Sequence, residues 1–388
     1  MTTTSTVPNV GTKGVNPLRA LLDYGQSPWM DYIRRDLLTS GGLKKMIDED
    51  GLRGMTSNPT IFEKAITGSK DYADIIESSE AKALDANGVF EKIAIRDVQD
   101  AADIFRPVYE QTKRRDGYVS LEVSPLLANN TQATIDEARR LWKSVGRENV
   151  MIKIPGTEQG LPAIRTCIEE GININITLLF AQWVYEEVAE AFLEALEARV
   201  KKGQDISHIA SVASFFVSRI DTLIDSQIDA KLKTVTDEKQ RALLTGLQGK
   251  VAIANAKLTY RKYQELISGP RWKALAAKGA QTQRLLWAST STKNPKYRDV
   301  LYVEELIGAD TVDTIPPATF DAFRDHGRLR KSLTEDVDGA ARTMLALEKA
   351  GISMKEVTDK LVVDGVKLFS DAFKQLMEAT GRTAGVHA

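Results

Sequence analysis

Short apolar runs alternate with longer amphipathic stretches along most of the chain. Strand patterns are clearest at Tyr118–Ser124 (YVSLEVS), Asn149–Ile154 (NVMIKI), Ile172–Thr177 (ININIT), Ile209–Ser214 (IASVAS) and Arg284–Ser289 (RLLWAS). Weaker ones fall at Ser27–Ile33, Leu52–Ser57 and Thr311–Ile315. Helical periodicity fills the gaps, at Thr131–Val145, Gly160–Glu170, Phe180–Lys202 and Val303–Gly308. This strand–helix alternation predicts an α/β fold with a parallel sheet. Eight candidate strands suit a (β/α)8 TIM barrel with additional helices, although an open doubly wound sheet has the same rhythm. No Gly-x-Gly-x-x-Gly follows a strand, which weakens the dinucleotide-binding form of that alternative.

Some stretches exceed a minimal barrel. Residues 59–115 should hold two or three helices, residues 216–283 form a long charged helical stretch, and residues 335–382 read as two terminal helices. Residues 1–14, rich in Thr and Gly, read as a loose tail, and no linker divides residues 15–388.

Strands in a parallel barrel are covered on both sides and usually read as continuously apolar. Here several do not. Ile172, Ile174 and Ile176 share one face, while Asn173, Asn175 and Thr177 share the other. Val119, Leu121 and Val123 oppose Ser120, Glu122 and Ser124; Val150, Ile152 and Ile154 oppose Met151 and Lys153. The apolar sets must meet the helices, so the polar sets should point into the barrel, toward the rim where TIM-barrel active sites lie. An antiparallel sheet with one wet face would also alternate, but several such strands separated by helices argue against it.

Composition narrows the chemistry. With 52 Lys+Arg against 53 Asp+Glu, net charge gives no reason to expect nucleic acid or a membrane surface as partner. Cys167 is the only cysteine, so an internal disulfide and a cysteine-rich zinc site are excluded. His208, His326 and His387 are far apart and form no metal-ligand motif. The first residues lack the apolar core of a secretory signal, no long uncharged stretch suggests a membrane span, and the expected compartment is the cytoplasm.

Lys153 is the main candidate for chemistry. A lysine amine attacks a carbonyl only when neutral, and desolvation favours the neutral form. The resulting iminium is an electron sink for C–C cleavage. A bland reading makes Lys153 a snorkelling strand-end lysine or the partner of Glu122, and position alone does not separate the two. Pro155 and Gly156 follow at once, so Lys153 should lie near the rim.

Four segments carry a resemblance. Gly54–Phe62 (GMTSNPTIF) and Val150–Gly160 (VMIKIPGTEQG) resemble the two signature segments of transaldolases. NINITLLFAQ (173–182) and SVASFFVSRID (211–221) resemble the same family, in the same order, and the likeness spans roughly residues 20–330. The resemblance implies a (β/α)8 barrel with Lys153 as the Schiff-base lysine, and neither metal nor organic cofactor. The implied reaction moves a dihydroxyacetone unit from sedoheptulose 7-phosphate to glyceraldehyde 3-phosphate. Its products are erythrose 4-phosphate and fructose 6-phosphate, in the non-oxidative pentose phosphate pathway. The implied partners are phosphorylated ketose and aldose substrates, with a homo-oligomer possible.

The resemblance also implies residue roles. Asp31 would take the proton from the C4 hydroxyl, where a surface aspartate beside Arg34 and Arg35 is the bland alternative. Glu122 would relay protons through a water held with Thr177. Asn58, Asn175 and Ser214 would hold dihydroxyacetone hydroxyls, with Thr56 on the same wall; Asn58 could instead be a turn residue before Pro59. Arg219 would clamp phosphate at a helix start, the alternative being a surface pair with Asp221. Phe216 would line the entrance or simply fill core. Many transaldolases carry a second phosphate arginine after the seventh strand; here the chain reads ASTSTKNP, with Ser289, Ser291 and Lys293, and Lys293 is the nearest substitute. Two rivals stand beside this reading. One is a fructose 6-phosphate aldolase that releases free dihydroxyacetone, and the other is a barrel that binds sugar phosphate without catalysis.

Overall fold

The computed structural model describes residues 16–67, 70–78 and 83–385. The expected tail, residues 1–14, and His387 lie outside these. Eight parallel strands close into a ring: β1 (Gln26–Asp31), β2 (Gly54–Thr56), β3 (Tyr118–Glu122), β4 (Val150–Pro155), β5 (Ile174–Leu179), β6 (Ser211–Phe216), β7 (Arg284–Ala288) and β8 (Thr311–Ile315). β8 pairs back onto β1, with Gln26 opposite Thr311 and Met30 opposite Ile315. The barrel expectation therefore holds, and the open sheet is excluded. The largest displacements from the expected strands are at β5 and β6, which begin and end later in the chain than the alternation suggested.

The outward faces explain why these segments are strands. Val119, Leu121, Val150, Ile152, Ile154, Ile174 and Ile176 are all buried against the helical layer. Asn130 caps the helix Thr131–Val145 by accepting from Ala133 N, and Asp85 caps Ala86–Gln111 through Gly88 N. The helix expected at Val303–Gly308 is a short one at Leu301–Glu305. The stretch 59–115 holds Pro59–Thr67, Ala73–Ile76 and Ala86–Gln111, and the second stretch holds four helices from Ser218 to Ala276.

Inside the ring, Trp29 and Tyr118 fill the lower half. Gly54 sits under Trp29: a Cβ there would lie 2.5 Å from a ring carbon and 2.8 Å from the Tyr118 carbonyl, so only glycine fits. Below them lies a charged floor. Arg284 donates to Asp116 (2.8 Å), Ser27 Oγ (2.8 Å) and the Arg115 carbonyl (2.6 Å). Asp116 also accepts from Ser27 (2.8 Å) and Trp29 Nε1 (3.3 Å). Asn173, expected among the inward polar residues of β5, belongs to this end; it donates to the Glu148 and Val150 carbonyls.

The two terminal helices are Val337–Lys349 and Met354–Ala384. The second packs on Pro59–Thr67, Ala86–Gln111, Ser218–Leu232 and β5. It therefore lies across the C-terminal rim. Its seat is local: β5 shifts register between Ile176 and Leu179, Leu178 takes a left-handed φ of 61°, and Gly365 meets the Leu178 side chain.

Candidate active site

The strand order and the pleat bring most of the sequence candidates to one place. A cavity of about 180 Å³ opens at the C-terminal ends of the strands. Its walls include Asp31 from β1, Thr56 from β2, Lys153 from β4, Thr177 from β5 and Ser214 and Phe216 from β6. Asn58, Arg219, Ser289, Ser291 and Lys293 come from the loops and helix starts above.

Lys153 sits deep, with 6% of its side chain exposed. Its Nζ donates to the Ser57 carbonyl (3.2 Å) and lies 3.3 Å from Glu122 Oε2. β3 and β4 pair with Glu122 opposite Lys153, and both face inward, so the contact follows from register. The ion pair named as the bland reading is thus present, and it does not exclude a nucleophile. Neither Glu122 oxygen makes a hydrogen bond of good geometry among the described residues, and Thr177 Oγ1 likewise has no partner. Burial pushes the Glu122 carboxyl above the ordinary range, while Lys153 pulls it back.

Asp31 is not a surface aspartate. Arg34 pairs with Asp36 and Asp71, and Arg35 pairs with Asp97. Asp31 instead accepts from Thr56 Oγ1 at 2.6 Å, and Thr56 shares a second hydrogen bond with Thr314 at 2.7 Å. Burial raises the Asp31 carboxyl, opposed first by Lys153 and then by the Thr56 hydroxyl. An acid held above its usual range, near an amine, is suited both to take a proton and to return it.

The amide and hydroxyl residues occupy two levels. Ser214 donates to Asn175 Oδ1 (2.7 Å), and Asn175 Nδ2 donates to Ser120 Oγ (3.0 Å). Asn175 is fully buried and sits beneath the wall, with Ser214 above it. Asn58 both borders the cavity and accepts from Ile61 N (3.1 Å), so its turn-forming role is also real.

The other end of the cavity is cationic. Arg219 lies in the first turn of the helix Ser218–Leu232, and its guanidinium stacks on Phe216, 5.1 Å from the ring centre. It makes no pair with Asp221, which accepts from Ala252 N and the Tyr302 hydroxyl. Lys293 donates to Ser291 Oγ (2.7 Å) and borders the same cavity. Burial, and then Arg219, lower its pKa. Two cations that repel each other across one cavity make a ready seat for an anion.

A family model described as Transaldolase/Fructose-6-phosphate aldolase matches residues 28–380, a span that contains every cavity residue named above. The chain belongs to the transaldolase/fructose-6-phosphate aldolase family. Among family members, a protein named Transaldolase from Trichodesmium erythraeum is 50% identical over 366 residues, covering 94% of this chain and 96% of that one. Transaldolase 2 of Nostoc punctiforme is 51% identical over 367 residues, with the same coverage. A Transaldolase from Parafrankia is 44% identical over 370 residues, covering 95% and 98%.

Four cavity residues of this family member escaped the sequence reading: Ala288, Thr314, Pro316 and Phe369. Thr314 belongs to β8, whose pattern was weak. Phe369 belongs to the helix Met354–Ala384, and its ring centre lies 5.7 Å from Lys153 Nζ and 5.8 Å from the Arg219 guanidinium carbon. The signal present in the sequence was a stripe at helical spacing, Leu361, Gly365, Phe369, Phe373 and Leu376, with a glycine within it.

Proposed function

We propose that the chain is a transaldolase, moving a dihydroxyacetone unit from sedoheptulose 7-phosphate to glyceraldehyde 3-phosphate through a Schiff base on Lys153. The observation that carries this reading is one buried amine, 3.3 Å from a buried carboxylate, in a cavity whose far end holds Arg219 and Lys293.

In this reading Lys153 Nζ attacks C2 of the ketose, and loss of water gives the iminium. Glu122, behind Lys153 rather than on the cavity wall, handles with Thr177 the protons of carbinolamine formation and dehydration. Asp31 takes the C4 hydroxyl proton. The C3–C4 bond breaks, its electron pair moves toward the iminium nitrogen to give an enamine, and erythrose 4-phosphate departs. The enamine carbon then adds to C1 of glyceraldehyde 3-phosphate, Asp31 returns the proton to the new alkoxide, and hydrolysis frees fructose 6-phosphate. Asn58, Asn175, Ser214 and Thr56 hold the dihydroxyacetone hydroxyls directly or through one another. Arg219 binds phosphate, Lys293 serves as its second cation, and Phe216 backs Arg219.

The chain's similarity over nearly its whole length to proteins named transaldolase favours transfer over release. The family description spans both activities, so release of dihydroxyacetone from fructose 6-phosphate without an acceptor aldehyde is the discriminating measurement. Since Phe369 borders the same cavity as the barrel residues, residues 15–388 are read as one domain. A cytoplasmic setting belongs to the same reading. The direct test is borohydride reduction with fructose 6-phosphate, followed by peptide mapping. The reading expects a reduced three-carbon adduct on Lys153; an unmodified Lys153 with binding intact would leave only a sugar-phosphate-binding barrel.

A further inference from the structure

Two cations of the cavity share one aromatic ring that the barrel itself does not supply. Phe369 is 6% exposed, and its centre lies 5.7 Å from Lys153 Nζ and 5.8 Å from the Arg219 guanidinium carbon. Phe216 meets the same guanidinium at 5.1 Å, so Arg219 is held between two rings. Phe373, one turn further along the helix, packs edge-on against Phe90 at 6.0 Å, and Phe90 in turn packs against Phe62 at 5.5 Å. One turn before Phe369, Gly365 lets the helix settle on Leu178; a Cβ there would stand 2.9 Å from Leu178 Cδ2 and 3.7 Å from Arg219 Nη1. The ring is thus fixed from both sides along the helix. Arg219 has no carboxylate partner within hydrogen-bonding reach among the described residues, so the two rings are what orient it.

We infer that Phe369 is a positioning residue: its ring sets the Arg219 guanidinium for phosphate and closes the wall over the Lys153 adduct. The inference rests on the Schiff-base reading of Lys153. An aromatic face favours a cation without neutralising it, so Arg219 keeps its charge for the substrate. The same ring covers the amine side of the cavity, where water would do harm. Once cleavage has formed the enamine, a proton delivered to its C3 gives the iminium of dihydroxyacetone. Water then adds at C2, dihydroxyacetone leaves, and the Lys153 amine is restored. A wall that excludes water holds the enamine for the acceptor aldehyde.

Two variants separate the two duties. Phe369→Leu keeps an apolar wall and removes the aromatic face. It should raise KM for fructose 6-phosphate by about three- to thirty-fold, as expected for loss of cation–π contacts. KM for unphosphorylated fructose and kcat should change far less. Phe369→Tyr, which keeps the face, should restore the low KM. Phe369→Ala opens the wall and should raise the ratio of dihydroxyacetone released to dihydroxyacetone transferred. Equal losses for phosphorylated and unphosphorylated ketose in F369L, or an unchanged release ratio in F369A with a parent-like thermal midpoint, would overturn the inference. Borohydride trapping on the parent keeps the two failures apart: a parent that traps on Lys153 leaves the Schiff-base reading standing even where the Phe369 variants behave as the parent does.

Discussion

At the floor of the barrel, Asp116 accepts from Ser27, Trp29 and Arg284, and Arg284 also donates to Ser27 and the Arg115 carbonyl. At the opposite rim, Glu122 faces Lys153 at 3.3 Å; among the described residues neither of its oxygens is in a well-formed hydrogen bond, and Thr177 Oγ1 has no partner. Both ends bury charge inside the same ring. At the floor, what stays open is neutral, the amide oxygens of Gln26 and Gln283; at the rim it is a carboxylate. A buried polar group left unsatisfied costs on the order of 1–3 kcal/mol, more if charged. The floor has arranged its charges for stability. The rim holds capacity in reserve for a reacting molecule, at a cost in stability.

The largest effect expected from this contrast is on chemistry more than on stability. Lys153→Met should lower transfer activity by on the order of 10⁴-fold or more, since the covalent route is lost. Its calorimetric thermal midpoint should fall less than that of a variant that breaks the floor pair, because burial already raises the Glu122 carboxyl and protonation can relieve the charge left without Lys153. A comparable collapse in stability would mean that the rim is as structural as the floor. Arg284→Met should do the reverse. It strands the Asp116 carboxylate, and breaking a buried pair costs about 3–5 kcal/mol. Denaturant unfolding should show that loss, while activity per folded molecule holds. Glu122→Gln comes next: kcat should fall by about 10²–10³-fold, in the range of a lost general acid–base. Because burial raises the Glu122 carboxyl, the amide should unfold no earlier than the parent.

The smallest effect sharpens the comparison from outside the barrel interior. Asp313 lies on β8 with Trp287 as its register partner and accepts from Thr290 (2.9 Å); its Oδ2 has no partner among the described residues. Burial raises its pKa to about 8 from 3.8. A carboxyl with a raised folded-state pKa contributes stability that is full below the unfolded value and lost as pH climbs through the folded one. Asp313→Asn removes that titration. Its unfolding free energy relative to the parent should be flat below pH 4 and increase between about pH 4 and pH 8. At roughly 1.4 kcal/mol per tenfold change in proton affinity the full shift would set a ceiling of about 6 kcal/mol, and relaxation around the ionised carboxyl should keep the gain well short of it. A pH-independent difference would show that Asp313 titrates normally.

The alternation of Asn175/Thr177 against Ile174/Ile176, and of Glu122 and Lys153 against their apolar neighbours, made the barrel and its polar interior readable. Period-two alternation encodes which face a residue takes, and register then carries Glu122 to Lys153. The four family-like segments brought Asn58, Ser214 and Arg219 to the same cavity, and the likeness around them brought Asp31. Sequence did not reveal Phe369, because a helix's apolar stripe looks the same whether it covers core or a cavity. It also did not show that Asn173 serves the floor and Asn175 a layer beneath the wall. Alternation gives the face of a residue and not its depth along the strand. The surface pair of Arg219 with Asp221 does not form: residues two apart on a helix do not face each other, and Asp221 turns toward Tyr302 and Ala252.

The ring of strands has a seam where β8 meets β1, joining Gln26 to Thr311 across most of the chain. Contacts so remote in sequence are slow to form, because the loop they close must lose its conformational freedom first. The Thr56–Thr314 hydrogen bond reaches over β1 from β2 to β8 and so needs that seam closed, and Thr56 is also the residue that holds Asp31. Recovery of enzymatic turnover after dilution from denaturant should therefore be a clock for seam closure, lagging behind the return of helical signal in the middle of the chain.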